Sequence, residues 1–195
     1  MPGGVGNTKR CTPTVGRVEV CNNRYGFNGW LGVAQIWISG SHITQGAVKL
    51  NDSYFNTAKY NTPGWRHLVM CQEIGHTFGL DHQDEIFGNT NRGTCMDYTD
   101  DPDGSIKNQL SNEYPNSHDY EELETIYSDH DDTTASAPTA SHGSPSPTGE
   151  ANRSTGIGTA EWGRLIRSTN GGRTERFELD LGGGHKVVTF VIWAD

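Results

Sequence analysis

The alternation of apolar and polar residues predicts three strands in the first fifty residues of the chain. Two valines alternate with polar neighbours between Val15 and Cys21, which predicts a short strand there. The run from Trp30 to Ser39 is apolar at almost every position and therefore predicts a strand buried on both faces. A third strand is predicted from Ile43 to Leu50, whereas residues 1–14 show no periodic pattern.

Capping residues and helical spacing predict two helices after these strands. Thr62 suits the N-cap position and Pro63 suits the first helical position, so a helix is predicted to begin there. The buried face of this helix is supplied by Trp65, Leu68 and Val69. A second helix is predicted from Ser117 to Tyr127, where aromatic and apolar residues recur in phase. A polar loop, residues 83–93, follows the first helix.

The composition changes sharply after the second predicted helix. Residues 129–155 are rich in Ser, Thr, Pro, Gly and Asp and predict a flexible linker between a domain over residues 1–128 and a small β module over residues 156–195. About forty residues form a marginal independent fold, so this module docks on the main domain, pairs with another chain or is incomplete. Three strands separated by glycine-rich turns are predicted within it: Trp162 to Arg167, Arg173 to Leu181 and Lys186 to Trp193.

Charge and hydropathy exclude some classes of partner. The 195 residues include 15 basic and 24 acidic side chains, giving a net charge of −9. Because no basic stripe appears, nucleic acid and anionic membrane surfaces are not expected partners. No apolar run approaches the ~20 residues that a membrane span requires. The first residues also lack the apolar segment of a signal peptide.

The four cysteines indicate an oxidising compartment if they are paired. Cys11, Cys21, Cys71 and Cys95 contain no C-x-x-C spacing, so a thiolate zinc site is not expected. Four cysteines allow three connectivities, and four buried thiols are a further alternative. Proximity in sequence favours a Cys11–Cys21 pair, which would leave Cys71 with Cys95. Disulfides would place the protein outside the cell.

Residues 72–82 carry the candidate chemistry. Gln72 and His76 are four residues apart and share one helix face, and Glu73 leans toward the same side. Gly79 allows the helix to end in a turn that returns His82 toward His76. Two imidazoles and a third protein ligand leave one position for water, which is typical of a catalytic zinc site. Glu73 is the candidate general base.

A second motif lies fourteen residues after His82, at Met96 in Thr94-Cys95-Met96-Asp97-Tyr98. Together the two motifs resemble the metzincin zinc peptidases, which have H-E-x-x-H-x-x-G-x-x-H followed by a Met turn, and most resemble the matrixin type. The resemblance covers roughly residues 15–128. It implies an α+β, zincin-like catalytic domain with a twisted mixed sheet, an active-site helix, a Met turn and a C-terminal helix. Met96 would lie beneath the zinc ligands, and Tyr98 matches a tyrosine that lies near the metal in some relatives.

The resemblance also suggests where substrate and missing segments belong. The strand from Trp30 to Ser39 would border the substrate cleft, and an extended peptide would pair with its backbone at Leu31, Gly32, Val33 and Ala34. A Cys71–Cys95 bond would tie the active-site helix to the Met turn. Because relatives have further strands and a long helix before this region, the catalytic domain is predicted to be N-terminally incomplete.

The chain departs from the metzincin pattern at its first position, where Gln72 replaces histidine. A neutral amide oxygen is a poor zinc ligand beside imidazole, although its side chain has a similar reach. His67 is half a turn out of phase with His76 and is expected to point away, while His42 is left open as a substitute from a distant loop.

An acidic loop offers a weaker candidate for metal binding. Asp97, Asp100, Asp101 and Asp103 could hold calcium. Their spacing does not match an EF-hand, so a solvated acidic loop is favoured.

The expected function is a secreted zinc endopeptidase that cleaves a protein or peptide substrate with water activated by Zn²⁺ and Glu73. The alternative is a weakened pseudo-peptidase that binds peptides without cleaving them because of Gln72. A third interpretation, an adhesion or structural protein that uses the C-terminal β module, has less support.

Overall fold

A computed structural model describes residues 9–128 and 161–194. The predicted linker and the first residues of the β module lie outside these ranges. Within them the fold is mixed α and β, with six strands and three α-helices. None of the described helices combines the length and apolar character that crossing a bilayer requires. The elements are β1 (Val18–Asn23), β2 (Trp30–Ser39), β3 (His42–Asn51), α1 (Asp52–Phe55), α2 (Pro63–Thr77), α3 (Ser117–Tyr127), β4 (Arg164–Thr169), β5 (Thr174–Gly182) and β6 (His185–Trp193).

All six strands belong to one mixed sheet with the order β1-β3-β2-β6-β5-β4. β1 and β3 are parallel, and every other neighbouring pair is antiparallel. The three C-terminal strands therefore extend the N-terminal sheet through the β2–β6 pairing. Of the three arrangements that the sequence left open for this segment, the structure shows docking on the main domain.

Most elements lie where the sequence predicts them, with local differences at β1, β4 and α1. β4 covers Arg164–Thr169 rather than Trp162 to Arg167, and Gly163, with φ 88°, directly precedes it. β1 begins at Val18 rather than Val15, because residues 14–17 form a turn in which Gly16 has φ 73° and the Arg17 amide donates to the Thr14 carbonyl over 3.1 Å. α1 was not predicted, because four residues are too few to show helical periodicity. Its N-cap is Asn51, whose side chain accepts from the Ser53 amide.

The sheet buries apolar side chains on both faces. Because successive strand residues point to opposite faces, Ala34 of β2 packs on the α2 side and Val33 on the other side. On the α2 side, Leu68 and Val69 join residues of β2, β3 and β6. The opposite cluster combines both parts of the chain: Trp30, Val33, Trp162, Phe177 and Val191. This shared cluster accounts for the docking of a segment too short to bury a core of its own.

The described cysteines form two disulfides, Cys11–Cys21 and Cys71–Cys95. Both pairings confirm the connectivity that proximity in sequence favoured. Cys71 lies on α2 and Cys95 directly precedes Met96, so the second bond joins the helix to the segment predicted as a Met turn.

Candidate active site

The end of α2 determines where His82 lies. Gly79 has φ 94°, a left-handed conformation that favours glycine, and its amide donates to the His76 carbonyl over 3.1 Å. The Leu80 amide donates to the Gly75 carbonyl over 3.2 Å, which completes a Schellman motif. The chain then doubles back, and the rings of His76 and His82 meet at right angles with centroids 4.6 Å apart. The turn predicted at Gly79 is thus present, and it brings the two imidazoles together.

The same turn orients the His76 ring. The Nδ1 atom of His76 lies 2.9 Å from the Leu80 carbonyl, and since a carbonyl can only accept, Nδ1 carries the proton. Burial lowers the pKa of His76 well below its ordinary value, and the nearby His82 lowers it further. The ring is therefore neutral, and its Nε2 lone pair is suited to bind a metal while Leu80 holds the tautomer.

Gln72 and Glu73 place polar groups in a dry environment. Gln72 is 1% exposed and Glu73 is fully buried. Among the described residues, neither the Gln72 amide nor either Glu73 oxygen has a hydrogen-bond partner of good geometry. Burial raises the pKa of Glu73 well above its ordinary value, and the Ala34 backbone amide only partly opposes this effect. Leaving a buried polar group unpaired typically costs about 1–3 kcal/mol, so these side chains require an explanation.

Two glycines let the backbone approach this site closely. A Cβ on Gly32 of β2 would lie 2.6 Å from Val69 Cγ1 and 2.7 Å from Glu73 Oε1. A Cβ on Gly75 of α2 would lie 2.5 Å from the sulfur of Met96. Gly32 thus allows Glu73 to lie directly against β2, and Gly75 allows Met96 to pack directly under α2.

The Met96 segment is fixed by the start of α3. Met96 is fully buried, and its amide donates to the Thr94 hydroxyl over 3.0 Å. That hydroxyl donates in turn to Asp119 over 2.5 Å. Asp119 also forms a capping box with Asn116 at the N-terminus of α3. Together with the Cys71–Cys95 bond, these contacts hold the Met96 segment against α2.

Tyr98 is in direct contact with His82. Its hydroxyl lies 2.8 Å from His82 Nε2, and the two ring centroids are 4.4 Å apart. Burial raises the pKa of Tyr98 well above its ordinary value, and the Thr174 side chain only partly opposes this effect, so the hydroxyl keeps its proton. Because this hydroxyl engages Nε2, a metal can bind that atom only after Tyr98 releases it.

Asp81, His82 and Glu85 form the one group of potential metal ligands that meet within 4.8 Å in the described ranges. Both carboxylates already face arginines from the C-terminal strands. Arg167 Nη2 lies 2.7 Å from Glu85 Oε2, and Arg167 and Arg176 lie 3.6 and 3.8 Å from Asp81 Oδ2. Asp81 and Glu85 therefore belong to a salt-bridge network that lies beside His82.

β6 covers the site from the side of β2. Its pairing with β2 sets Ile192 opposite Gly32 and Phe190 opposite Ala34. The Phe190 ring stacks on His76 with centroids 4.1 Å apart and planes 6° apart. β6 therefore occupies the edge of β2 at which the resemblance implies that a peptide would pair. The apolar run of β6 was visible in the sequence, but its partner strand was not.

The other candidate residues lie elsewhere. His67 contacts Glu113 over 2.7 Å and faces away from His76, as its helical phase predicts. His42 is the first residue of β3 rather than part of a loop, and it lies beside Ser41. In the acidic loop, Asp101 accepts from the amides of Ile106 and Lys107. The other loop carboxylates also accept from protein donors, and calcium binding there stays a prediction: Asp97 from Asn112, Asp100 from Lys107 and Asp103 from Ser105.

Comparisons with protein-family models, with curated proteins and with solved structures found no match to this chain. Function is therefore inferred from the residues and their geometry.

Proposed function

We propose that this chain is a zinc-dependent endopeptidase of metzincin type that works outside the cell. The observation that carries the proposal is the buried, unpartnered pair Gln72 and Glu73 on the same helix as a neutral His76 that touches His82. A bound metal ion would use the lone pair of the Gln72 oxygen, and a water on that ion would give Glu73 a hydrogen-bond partner. The two disulfides fit an extracellular compartment.

The donor set fits zinc. His76 through Nε2, His82 through the nitrogen that Tyr98 now contacts, and Gln72 through its amide oxygen would hold the ion. Nitrogen ligands suit zinc, and three protein ligands leave one position for water. Bound zinc would act as a Lewis acid and lower the pKa of that water.

The remaining chemistry belongs to Glu73. A carboxylate with a raised pKa is a stronger base than an exposed one, so Glu73 is suited to accept a proton from water and pass it to the leaving amine. Glu73 contacts Gly32, so a base at this position would lie against β2, the strand on which an extended peptide would lie if β6 left its edge. The fully buried surroundings exclude other water from the carboxylate.

Two observations favour a second candidate, a pseudo-peptidase that binds peptides without cleaving them. Gln72 offers a weaker ligand than histidine, and β6 already fills the edge of β2. The retained, buried Glu73 favours the enzyme, because a binding module has no evident use for an unpaired buried carboxyl group.

Metal content and peptide cleavage test the proposal together. The protein refolded with zinc should hold about one zinc per chain by elemental analysis, and His76→Ala/His82→Ala should hold almost none. His67→Ala, on the same helix but paired with Glu113, is the matched control and should keep its zinc. Glu73→Gln should retain zinc and lose roughly 10²–10⁴ in the rate of peptide cleavage. Equal zinc in wild type and the double variant would refute the metal site, and zinc without cleavage in the wild type would favour the pseudo-peptidase.

A further inference from the structure

We propose that the segment formed by β4, β5 and β6 blocks the candidate active site by occupying the edge of β2 on which a peptide would bind. The site would then open to a peptide only when this segment leaves β2. The identity of the site rests on the proposed function. The pairing of β6 with the edge of β2 is an observation about the backbone, and it does not depend on the proposed function.

The backbone pairing explains how the segment closes the site. β6 runs antiparallel to β2 from Ser39↔His185 to Trp30↔Trp193. β3 pairs with the other edge of β2. Each strand edge has one row of amide and carbonyl groups, so a peptide cannot add to β2 while both rows are used.

Side chains of the segment also reach the predicted ligands. Phe190 stacks on His76, and the Arg176 guanidinium lies 5.4 Å from the Phe190 ring and 3.8 Å from Asp81. Arg167 of β4 pairs with Glu85, whose other oxygen lies 3.5 Å from His82. The segment therefore contacts His76 directly through Phe190 and reaches His82 indirectly through Glu85.

The topology makes this segment a separable unit. β4 pairs with β5 and β5 with β6, so these hydrogen bonds survive when the unit leaves as a whole. Among the strands of the described residues, β2 is the one that pairs with this unit from the rest of the sheet. In sequence, residues 129–160 connect it to α3 and are rich in Ser, Thr, Pro and Gly.

The tether and apolar packing hold the unit in place. The Arg167 side chain is 50% exposed, so its ion pairs contribute little. Burial of Phe190, Val191 and Trp162 provides most of the attraction. The connection through residues 129–160 adds an effective concentration on the order of mM, and cutting it makes release depend on dilution.

The test uses the full chain with a protease recognition sequence inserted between Ala140 and Ser141. An insertion of equal length that the protease cannot cut is the control. The readouts are hydrogen exchange of the amides of residues 31–34 and binding of a labelled peptide of residues 161–194. Neither readout requires zinc or turnover, so failure of the proposed function leaves this test intact.

After cleavage and dilution, exchange at residues 31–34 should accelerate by at least about tenfold while α2 amides stay protected. An excess of the 161–194 peptide should restore the protection. Arg167→Ala in the cleavable chain should release the segment at a higher protein concentration than the unsubstituted cleavable chain. Continued protection of residues 31–34 at every dilution, or simultaneous loss of protection in α2, would show that the three strands are a permanent part of the core and overturn the proposal.

Discussion

At the scale of single residues, the strength of the proposed metal site depends on Gln72. Its amide is buried and unpartnered on the helix face that also carries His76. The observed helix confirms the i, i+4 register, so a side chain at position 72 rises from the same face as His76. The contribution of position 72 to the proposed site therefore depends on its chemistry, because a neutral amide oxygen is a weaker zinc ligand than imidazole.

Gln72→His should convert the site to three imidazoles. Because imidazole is a better zinc donor than an amide oxygen, we expect zinc affinity to rise by at least about tenfold, or about 1.4 kcal/mol. Competition with a zinc-binding dye measures the change, and Gln45→His on β3 is the control for adding a histidine elsewhere. An affinity that stays at the wild-type value would mean that position 72 does not contribute a ligand.

At the scale of elements, the close contact between α2 and β2 positions Glu73. This contact depends on Gly32, where a Cβ would meet Val69 and Glu73 well inside normal contact distance. The Met96 segment approaches the other side of α2 through Gly75 in the same way. The helix is thus packed tightly between a strand and a loop, with glycine at each contact.

Gly32→Ala should push α2 away from β2. Overpacking of this kind typically destabilises by about 1–3 kcal/mol, and the displaced Glu73 should also reduce peptide cleavage. Urea unfolding measures the free energy, and Gly88→Ala is the matched control because a Cβ there meets nothing within 4 Å. Equal loss of stability in the two variants would show that the Gly32 contact is not tight.

At the scale of the whole molecule, the buried carboxyl group of Glu73 links global stability to pH. Burial raises the pKa of Glu73 in the folded state above its unfolded value, so the folded protein binds the extra proton. Folding stability is then fully present below the unfolded pKa, about 4.3, and falls as pH rises through the folded pKa. Bound zinc would reverse this penalty by favouring the charged form.

Glu73→Gln should therefore remove this pH dependence from the metal-free protein. The variant should equal wild type near pH 4 and exceed it at neutral pH by about 1–3 kcal/mol, because the buried charge is gone. Urea unfolding from pH 4 to pH 8 in a chelator measures the difference, with the exposed Glu124→Gln on α3 as control. A constant difference across this range would show that folding does not raise the pKa of Glu73.

The sequence alone determined most elements and favoured the cysteine pairing that the structure shows. β2, the Thr62 N-cap of α2, and α3 follow from patterns confined to a few consecutive residues, which is why the prediction and the structure agree there. The turn after α2 also follows from local sequence, because Gly79 is one of the few residues that adopts positive φ without strain. Cys11–Cys21 is a short-range pair, and once it forms, Cys71 and Cys95 are the two cysteines that are left to pair.

Only the tertiary structure decided which surfaces of the site are covered. The contacts of Phe190 with His76 and of Arg167 with Glu85 join residues that are far apart in sequence, on either side of residues 129–160. An apolar strand pattern states that a strand will be buried but not which strand it pairs with, because backbone hydrogen bonds are the same for every partner. The partner is selected by the packing of whole faces, here the cluster around Trp30 and Trp162, and that selection places β6 on β2.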